Sequence, residues 1–121
     1  MQIPSDLRQA IEGELRGADS RAVARAAAEL SDRYRAEERE GPFMSSDEHR
    51  LAYLATRMPA TYAAVYAVLD ETAARLGDAA VASVIDVGAG PGTAAWAATD
   101  VFPDLERVTL VERDTRLVSA G

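Results

Sequence analysis

The sequence predicts an α/β fold in which a helical N-terminal region, residues 1–80, precedes the first β-α-β unit of a parallel sheet, residues 81–121. Two observations lead to this prediction. Apolar residues recur every three or four positions through the first region, as they do along one face of a helix. The pattern then changes to a short β-branched run, residues 81–87, followed by alternating glycines. Since two strands are fewer than such a sheet usually has, we expect the sheet to be truncated in this chain.

The composition limits the class of protein. The chain has 121 residues, enough for one domain with a modest core. Its hydrophobic fraction of 48% is ordinary for a globular protein, and no apolar run approaches the roughly 18 residues of a membrane-spanning helix. The N-terminus lacks the basic and apolar pattern of a signal peptide. We therefore expect a cytoplasmic protein with no membrane partner.

The charge and the small number of potential metal ligands limit the ligands that the chain could bind. The sequence has no cysteine and a single histidine, His49, so neither a thiolate nor a histidine metal site is expected. The net charge is −7, and no basic run could neutralise a phosphate backbone. This disfavours nucleic-acid binding, although folding could gather arginines on one surface. Those arginines are Arg21, Arg25, Arg33, Arg35 and Arg39.

The first two helices are predicted over residues 5–16 and 20–38. Ser5 is the expected N-cap of the first helix, and Asp19 or Ser20 that of the second. We expect the charged face of the second helix to be solvated or, alternatively, to contact a partner or RNA. The apolar stripes of the two helices contain Leu7, Ile11 and Leu15, and Val23, Ala26, Leu30 and Tyr34.

A loop and two more helices follow. Residues 40–45, which contain a Gly-Pro pair, break the periodicity and predict the loop. The third helix is predicted over about 46–58, with Ser45 opening a capping-box pattern. Pro59 suits the first turn of a fourth helix over residues 59–76. The residues predicted to face inward are Leu51, Leu54, Ala55, Met58, Tyr62, Val65, Tyr66, Leu69 and Leu76.

The remaining elements form the predicted β-α-β unit. The apolar run at 81–87 predicts a buried strand, residues 92–101 a helix and residues 107–111 a second strand. A further helix is expected from Asp114. Parallel strands expose their carboxyl ends at one edge, so the segments that follow both strands should line one crevice.

A glycine-rich loop joins the first strand to the next helix. It contains Gly88, Gly90 and Gly92, which allow a sharp turn and the close approach of a ligand to the backbone. The helix that follows begins with unpaired N–H groups. A dinucleotide fingerprint needs a third glycine where Thr93 stands, and a phosphate-binding P-loop needs a lysine that this chain lacks.

Two carboxylates indicate a different ligand. Asp86, two residues before Gly88, would repel a pyrophosphate and would suit a cationic ligand such as S-adenosylmethionine. That molecule carries an ammonium group, a sulfonium group and one carboxylate. Glu112 lies 20 residues after Gly92, at the end of the second strand. An acidic residue there accepts hydrogen bonds from ribose hydroxyls in nucleoside-binding α/β folds.

The Asp-Val-Gly-Ala-Gly-Pro-Gly sequence at 86–92 resembles the first motif of the seven-stranded S-adenosylmethionine-dependent methyltransferases, and Glu112 matches the acid of their second strand. The resemblance implies a Rossmann-like domain whose glycine loop cradles the methionine part of the cofactor. It implies that Asp86 orients the amino group, directly or through water, and that Glu112 holds the ribose. It indicates no catalytic residue. The implied cofactor-binding residues are Asp86, Gly88, Ala89, Gly90, Gly92 and Glu112.

A narrower resemblance includes the helical region. The Arg-Met-Pro-Ala-Thr-Tyr sequence at 57–62, followed by the glycine motif, is similar to bacterial members of a methyltransferase-like family. The eukaryotic relatives of that family act in assembly of the mitochondrial small ribosomal subunit. The resemblance implies the N-terminal portion of a methyltransferase that is too short to act alone, with small-subunit RNA or protein as its partner. The cysteines of the family's iron–sulfur cluster are absent from this sequence.

Simpler interpretations remain open. The loop could be a tight turn that binds nothing, Asp86 a cap for adjacent backbone, and Glu112 a surface residue at a strand end. The chain could instead be a non-catalytic helical interaction module with a vestigial cofactor loop. Because open strand edges pair readily with other chains, we also expect a homodimer, formed through these edges or through apolar helix faces.

Individual side chains carry further expectations. His49 should be solvated at a helix start. Tyr62 and Tyr66 should lie in the core, although the family resemblance would also allow Tyr62 to reach the cofactor. Arg57 could pair with an acid or lie near the carboxylate of the cofactor. Trp96 should pack against neighbouring helices.

Overall fold

The computed structural model describes residues 2–36 and 44–121. Within them, six helices and two strands follow one another along the chain. The end of the predicted second helix, most of the predicted loop at 40–45 and Arg39 lie outside the described residues. The elements are α1 Ser5–Leu15, α2 Ser20–Arg35, α3 Asp47–Thr56, α4 Met58–Leu76, β1 Ser83–Val87, α5 Thr93–Val101, β2 Arg107–Val111 and α6 Thr115–Ala120.

The first two helices begin in different ways. The N-cap of α1 is Pro4, which offers no side-chain acceptor, whereas the predicted cap Ser5 lies inside the helix and donates to Asp6. The prediction for Ser5 was therefore wrong by one position. The cap of α2 was predicted correctly: the Asp19 carboxylate accepts hydrogen bonds from the N–H groups of Arg21 and Ala22.

The α3–α4 junction consists of one residue. Arg57 has helical backbone angles, and its N–H donates to the Tyr53 carbonyl while its own carbonyl accepts from Thr61. Pro59 stands in the first turn of α4, where its missing N–H costs no helical hydrogen bond. At the other end of α3 the cap is Ser46, which accepts from the His49 N–H, and the prediction of Ser45 was wrong.

Two buried apolar clusters hold the helices together. The first joins α1, α3, α4 and α5, and the second joins α2, α3 and α6, so α3 takes part in both. Each large apolar side chain that is fully buried stabilises the fold by about 1.5–3 kcal/mol. The clusters consist of Leu7, Ile11, Leu54, Met58, Tyr62 and Ala97, and of Ala26, Leu30, Met44, Ala52 and Leu117.

The cores therefore combine residues from both predicted regions, and the division of the chain at residues 80 and 81 stays a prediction. Two residues predicted to face inward are instead exposed, because each lies near the end of its helix. They are Tyr34 in the last turn of α2 and Leu76 at the end of α4.

The two strands pair in parallel, from Ser83 opposite Arg107 to Val87 opposite Val111. This mixture of helices with a small parallel sheet is consistent with the predicted α/β class. The prediction of a buried strand was wrong, since Ile85 and Val87 are 71% and 78% exposed. The β-branched pattern indicates a strand, but burial of both faces also requires a layer on each side.

The face of β1 that carries Val84 and Asp86 is half-buried, whereas the alternate residues Ser83, Ile85 and Val87 are exposed. Among the described helices, α5 is the one with substantial contact to β1. None of the helices in residues 2–36 and 44–121 is both long and apolar enough to cross a membrane.

Candidate functional site

The glycine loop after β1 has a backbone that favours glycine at three positions. The φ angles of Gly88, Gly90 and Gly92 are 75°, 56° and 85°, which L-residues other than glycine rarely adopt. At Gly92, which is also the N-cap of α5, a Cβ atom would lie 3.4 Å from Leu110 Cδ1. At Gly88 a Cβ atom would meet nothing within 4 Å, so the backbone angle alone favours glycine there.

Hydrogen bonds fix this loop to the end of the neighbouring strand. The N–H groups of Gly88 and Ala89 both donate to the Val111 carbonyl, at 2.8 and 3.1 Å. Ala89 is buried, and its carbonyl accepts from the Gly92 N–H. The loop therefore lies at the carboxyl ends of both strands, as expected for a crevice in a parallel sheet.

Glu112 connects the loop to the segment after β2. One carboxylate oxygen accepts a 2.8 Å hydrogen bond from the Gly90 N–H, and the other accepts a 2.8 Å hydrogen bond from the Asp114 N–H. These bonds, above all the one from Asp114, lower the pKa of Glu112 below its ordinary value. Glu112 is thus ionised at neutral pH. A carboxylate has about four lone-pair sites, so each oxygen keeps capacity for a further donor.

Asp86 is the second carboxylate that the sequence analysis assigned to the cofactor site. It is the fourth residue of β1, half-buried, and pairs with Leu110 across the sheet. Its carboxylate accepts no hydrogen bond from any group in the described part of the chain, so nothing there supports a backbone-capping role. Asp86, the glycines, Ala89 and Glu112 thus all lie at or next to the carboxyl ends of the strands. Whether they bind a cofactor stays a prediction.

A tyrosine of the helical region lies against the loop, and it was not predicted to be part of the site. A Cβ atom at Gly90 would lie 3.6 Å from the Tyr53 hydroxyl oxygen. Burial raises the pKa of Tyr53, and the neighbouring Tyr34 and Glu112 raise it further. Tyr53 is therefore a neutral phenol beside the loop. The sequence contained one indication of this position. Tyr53 lies four residues before Arg57, and residues four apart share a helix face.

Arg57 lies in the same neighbourhood. Its guanidinium carbon is 4.2 Å from the centre of the Tyr34 ring, a cation–π contact, and its Nη2 is 3.5 Å from the Ser31 hydroxyl. No ion pair joins Arg57 to a carboxylate within residues 2–36 and 44–121. The predicted pairing with an acid is thus not seen among these residues.

Tyr62 was correctly predicted to lie in the core. It is 2% exposed, and its hydroxyl donates a 2.6 Å hydrogen bond to Asp100 at the far end of α5. Burial and this bond raise its pKa well above the ordinary value. The Tyr66 ring lies 5.9 Å away, and Trp96 packs against the same cluster, as predicted. These contacts fix α5, and with it the loop, against α4.

His49 corrects an expectation, because it is 3% exposed rather than solvated. Its Nε2 is 2.5 Å from a Glu29 carboxylate oxygen, and its Nδ1 is 2.9 Å from the Ser45 hydroxyl. The Ser45 N–H also points to Nδ1, at 3.3 Å. Burial is possible because both ring nitrogens have partners. The partner on α2 is 20 residues away, which a local pattern could not reveal.

The comparisons with known proteins decide the family. Residues 47–121, more than half of the chain, match the family model described as mitochondrial small ribosomal subunit Rsm22. The chain belongs to the Rsm22 family. The matched range begins at α3 and includes Tyr53, Arg57, the glycine loop and Glu112. The predicted relationship to a family with members of the mitochondrial small ribosomal subunit is confirmed. Membership of the wider methyltransferase superfamily stays a prediction.

Two relatives come from Schizosaccharomyces pombe (strain 972 / ATCC 24843). They are the Rsm22-cox11 tandem proteins 1 and 2, mitochondrial, each 37% identical over 71 residues. Those residues make up 57% of this chain and 9% of each relative, so the chain spans a small part of the length of these Rsm22 proteins. No solved structure matches the chain significantly.

The comparisons also correct the expected location. The prediction of a cytoplasmic protein is wrong, because the family is described as mitochondrial and both relatives are named mitochondrial. These findings point to mitochondria. The prediction depended on the lack of a signal-peptide pattern, and that feature does not distinguish the cytoplasm from an organelle.

Proposed function

We propose that this chain is a portion of an Rsm22-family protein that binds S-adenosylmethionine and acts on, or helps to assemble, the small ribosomal subunit. The observation that carries the proposal is the glycine loop. It has three positive-φ glycines, lies at the carboxyl ends of two parallel strands and is hydrogen-bonded to Glu112. This arrangement is typical of the nucleoside-binding crevice of α/β folds, and it supports β1 and β2 as strands of a Rossmann-like sheet.

The residues present suit a cationic ligand better than a pyrophosphate. A pyrophosphate needs free N–H donors, but the Gly90 N–H already donates to Glu112 and those of Gly88 and Ala89 donate to Val111. Asp86 and Glu112 add negative charge at the same edge, which repels an anion. An ammonium or sulfonium group would gain from the same two charges.

The residues that would hold S-adenosylmethionine follow from this chemistry. Glu112 would use its remaining lone pairs to accept hydrogen bonds from the ribose hydroxyls, and Asp86 would accept one from the ammonium group. Glycine at positions 88 and 90 would let a ligand approach the backbone of the loop closely, and glycine at 92 allows the loop to pack against Leu110. The cofactor, when bound, supplies a methyl group to a nucleophile. The chain would contribute position and electrostatic environment.

A calorimetric titration with S-adenosylhomocysteine tests the proposal. We expect saturable binding by the chain, weakened by Asp86→Asn and by Glu112→Gln. Glu106→Gln is the matched control, since Glu106 is an exposed acid just before the opposite end of β2. Thermal unfolding of each variant would verify that it is folded. A folded wild-type chain without binding would refute cofactor binding by this chain.

One observation favours a second function. Both carboxylate oxygens of Glu112 are already engaged by backbone N–H groups, so Glu112 stabilises the loop whether or not a ligand binds. The chain would then be a non-catalytic interaction module for the small subunit. Co-sedimentation with purified mitochondrial small ribosomal subunits separates the two functions. A module would co-sediment equally well as the wild type and as Asp86→Asn, with no dependence on S-adenosylhomocysteine.

A further inference from the structure

A half-buried arginine, one helical turn from the tyrosine that lies against the glycine loop, lacks a carboxylate partner among the described residues. Four other side chains, Arg35, Arg50, Arg75 and Arg116, each form an ion pair with an Asp or Glu in residues 2–36 and 44–121. Arg57 instead contacts a tyrosine ring and a serine hydroxyl. Its guanidinium therefore keeps donors that could bind an anion.

The position of Arg57 is set before any ligand arrives. It is the single residue between α3 and α4, and backbone hydrogen bonds continue through it to Tyr53 and Thr61. The stacking of its guanidinium on Tyr34 restricts the side chain further. A cation that is already held in place loses little conformational entropy when it binds an anion, which favours selective binding.

Tyr53 links this cation to the loop. Its hydroxyl oxygen would lie 3.6 Å from a Cβ atom at Gly90, and the charges of both Glu112 and Arg57 act on its phenol. Glu112 raises the pKa of Tyr53 and Arg57 lowers it, so both charges lie close enough to act on the phenol. A side-chain hydrogen bond with Tyr34 also raises the pKa of Tyr53, so Tyr53 and Arg57 are both held by Tyr34.

We propose that Arg57, supported by Tyr53, is a specificity-determining residue that binds the carboxylate at the amino-acid end of the cofactor. This rests on the proposed function. S-adenosylmethionine carries one anionic group, and the loop offers that group two repelling carboxylates, Asp86 and Glu112. Arg57 acts on Tyr53, which lies against the loop, and has no acid partner among the described residues. A guanidinium can bind a carboxylate through two parallel hydrogen bonds.

The test compares two ligands that differ at the amino-acid end. S-adenosylhomocysteine has the carboxylate, whereas 5′-methylthioadenosine has the same nucleoside without the amino acid. Calorimetry would measure both ligands on the wild type, Arg57→Gln, Arg57→Lys and Tyr53→Phe. Arg75→Gln is the matched control, because Arg75 is 18 residues further along α4, about 27 Å at 1.5 Å per residue.

We expect Arg57→Gln to weaken S-adenosylhomocysteine binding about 10-fold to 100-fold, the range for losing a charged hydrogen bond, and 5′-methylthioadenosine binding less than about twofold. Arg57→Lys should restore part of the loss, and Tyr53→Phe should show a smaller loss with the same ligand selectivity. Arg75→Gln should bind both ligands as the wild type does.

Three outcomes overturn the proposal in distinguishable ways. Equal weakening of both ligands by Arg57→Gln would show that Arg57 acts on the fold or the nucleoside. No weakening of either ligand, while Glu112→Gln weakens both, would refute the role of Arg57 and leave the proposed function standing. A folded wild-type chain that binds neither ligand would refute both.

Discussion

Replacement of Glu112 by glutamine tests the role of this residue in the loop. The carboxylate accepts two hydrogen bonds of 2.8 Å, from the N–H groups of Gly90 and Asp114, and the first of them joins residues that are 22 positions apart. Glutamine has nearly the same shape but keeps a single acceptor oxygen and no charge. Its NH₂ group would face one of the two N–H donors, so one bond is lost and the other weakened.

The expected magnitude follows from these two bonds. A hydrogen bond to a charged group contributes about 1.5–3 kcal/mol when it is well shielded. Since Glu112 is only half-buried, solvent screening reduces the loss to about 1–2 kcal/mol at pH 7. For a chain of this length, that lowers Tm by roughly 3–10 °C.

The pH dependence gives this prediction a second signature. The folded-state pKa of Glu112 is lowered, so its stabilisation is fully present above the unfolded-state pKa of about 4.3 and is lost as pH falls through the folded-state pKa. Urea unfolding of the wild type and Glu112→Gln between pH 7 and pH 3 measures this. The difference in the free energy of unfolding should be constant above about pH 5 and shrink below it. A difference that stays the same down to pH 3, or no difference at pH 7, would refute the assigned role.

Two further changes test the packing of the fold. Tyr62→Phe removes the hydrogen bond to Asp100, whose carboxylate is exposed and can bind water instead. Thermal unfolding should therefore show a loss of stability of about 1 kcal/mol, and an unchanged Tm would contradict this. Val87→Thr changes a side chain that is 78% exposed on the open sheet face, so stability should change by less than about 0.5 kcal/mol. The homodimer is expected through the strand edges or the apolar helix faces, so light scattering of Val87→Thr should match that of the wild type. A wild type that is monomeric at all concentrations would refute the dimer.

Features set by neighbouring residues could be predicted from the sequence. The helices follow from the spacing of apolar residues, the junction at Arg57 from Pro59, and the loop from its alternating glycines. The position of Glu112 beside the loop follows from the rule that parallel strands end at one edge. Each of these depends on patterns within about 25 residues.

Features that depend on distant partners could not be predicted. The burial of His49 requires Glu29 from α2, and the approach of Tyr53 to the loop requires α3 to pack close to Gly90. The exposure of Val87 depends on which layers cover the sheet, and a β-branched sequence pattern does not contain that information. The cap of α3 was misplaced because Ser45 and Ser46 are chemically equivalent, and the helix geometry selects between them.

The most direct test of cofactor binding observes the loop itself. The backbone amides of Gly88, Gly90 and Gly92 can be followed by two-dimensional NMR during a titration of the chain with S-adenosylhomocysteine. The proposed function predicts saturable shifts of these three amides and of Ala89, and smaller shifts in the Glu112→Gln variant. Unchanged glycine amides at saturating ligand, in a chain that remains folded, would contradict it.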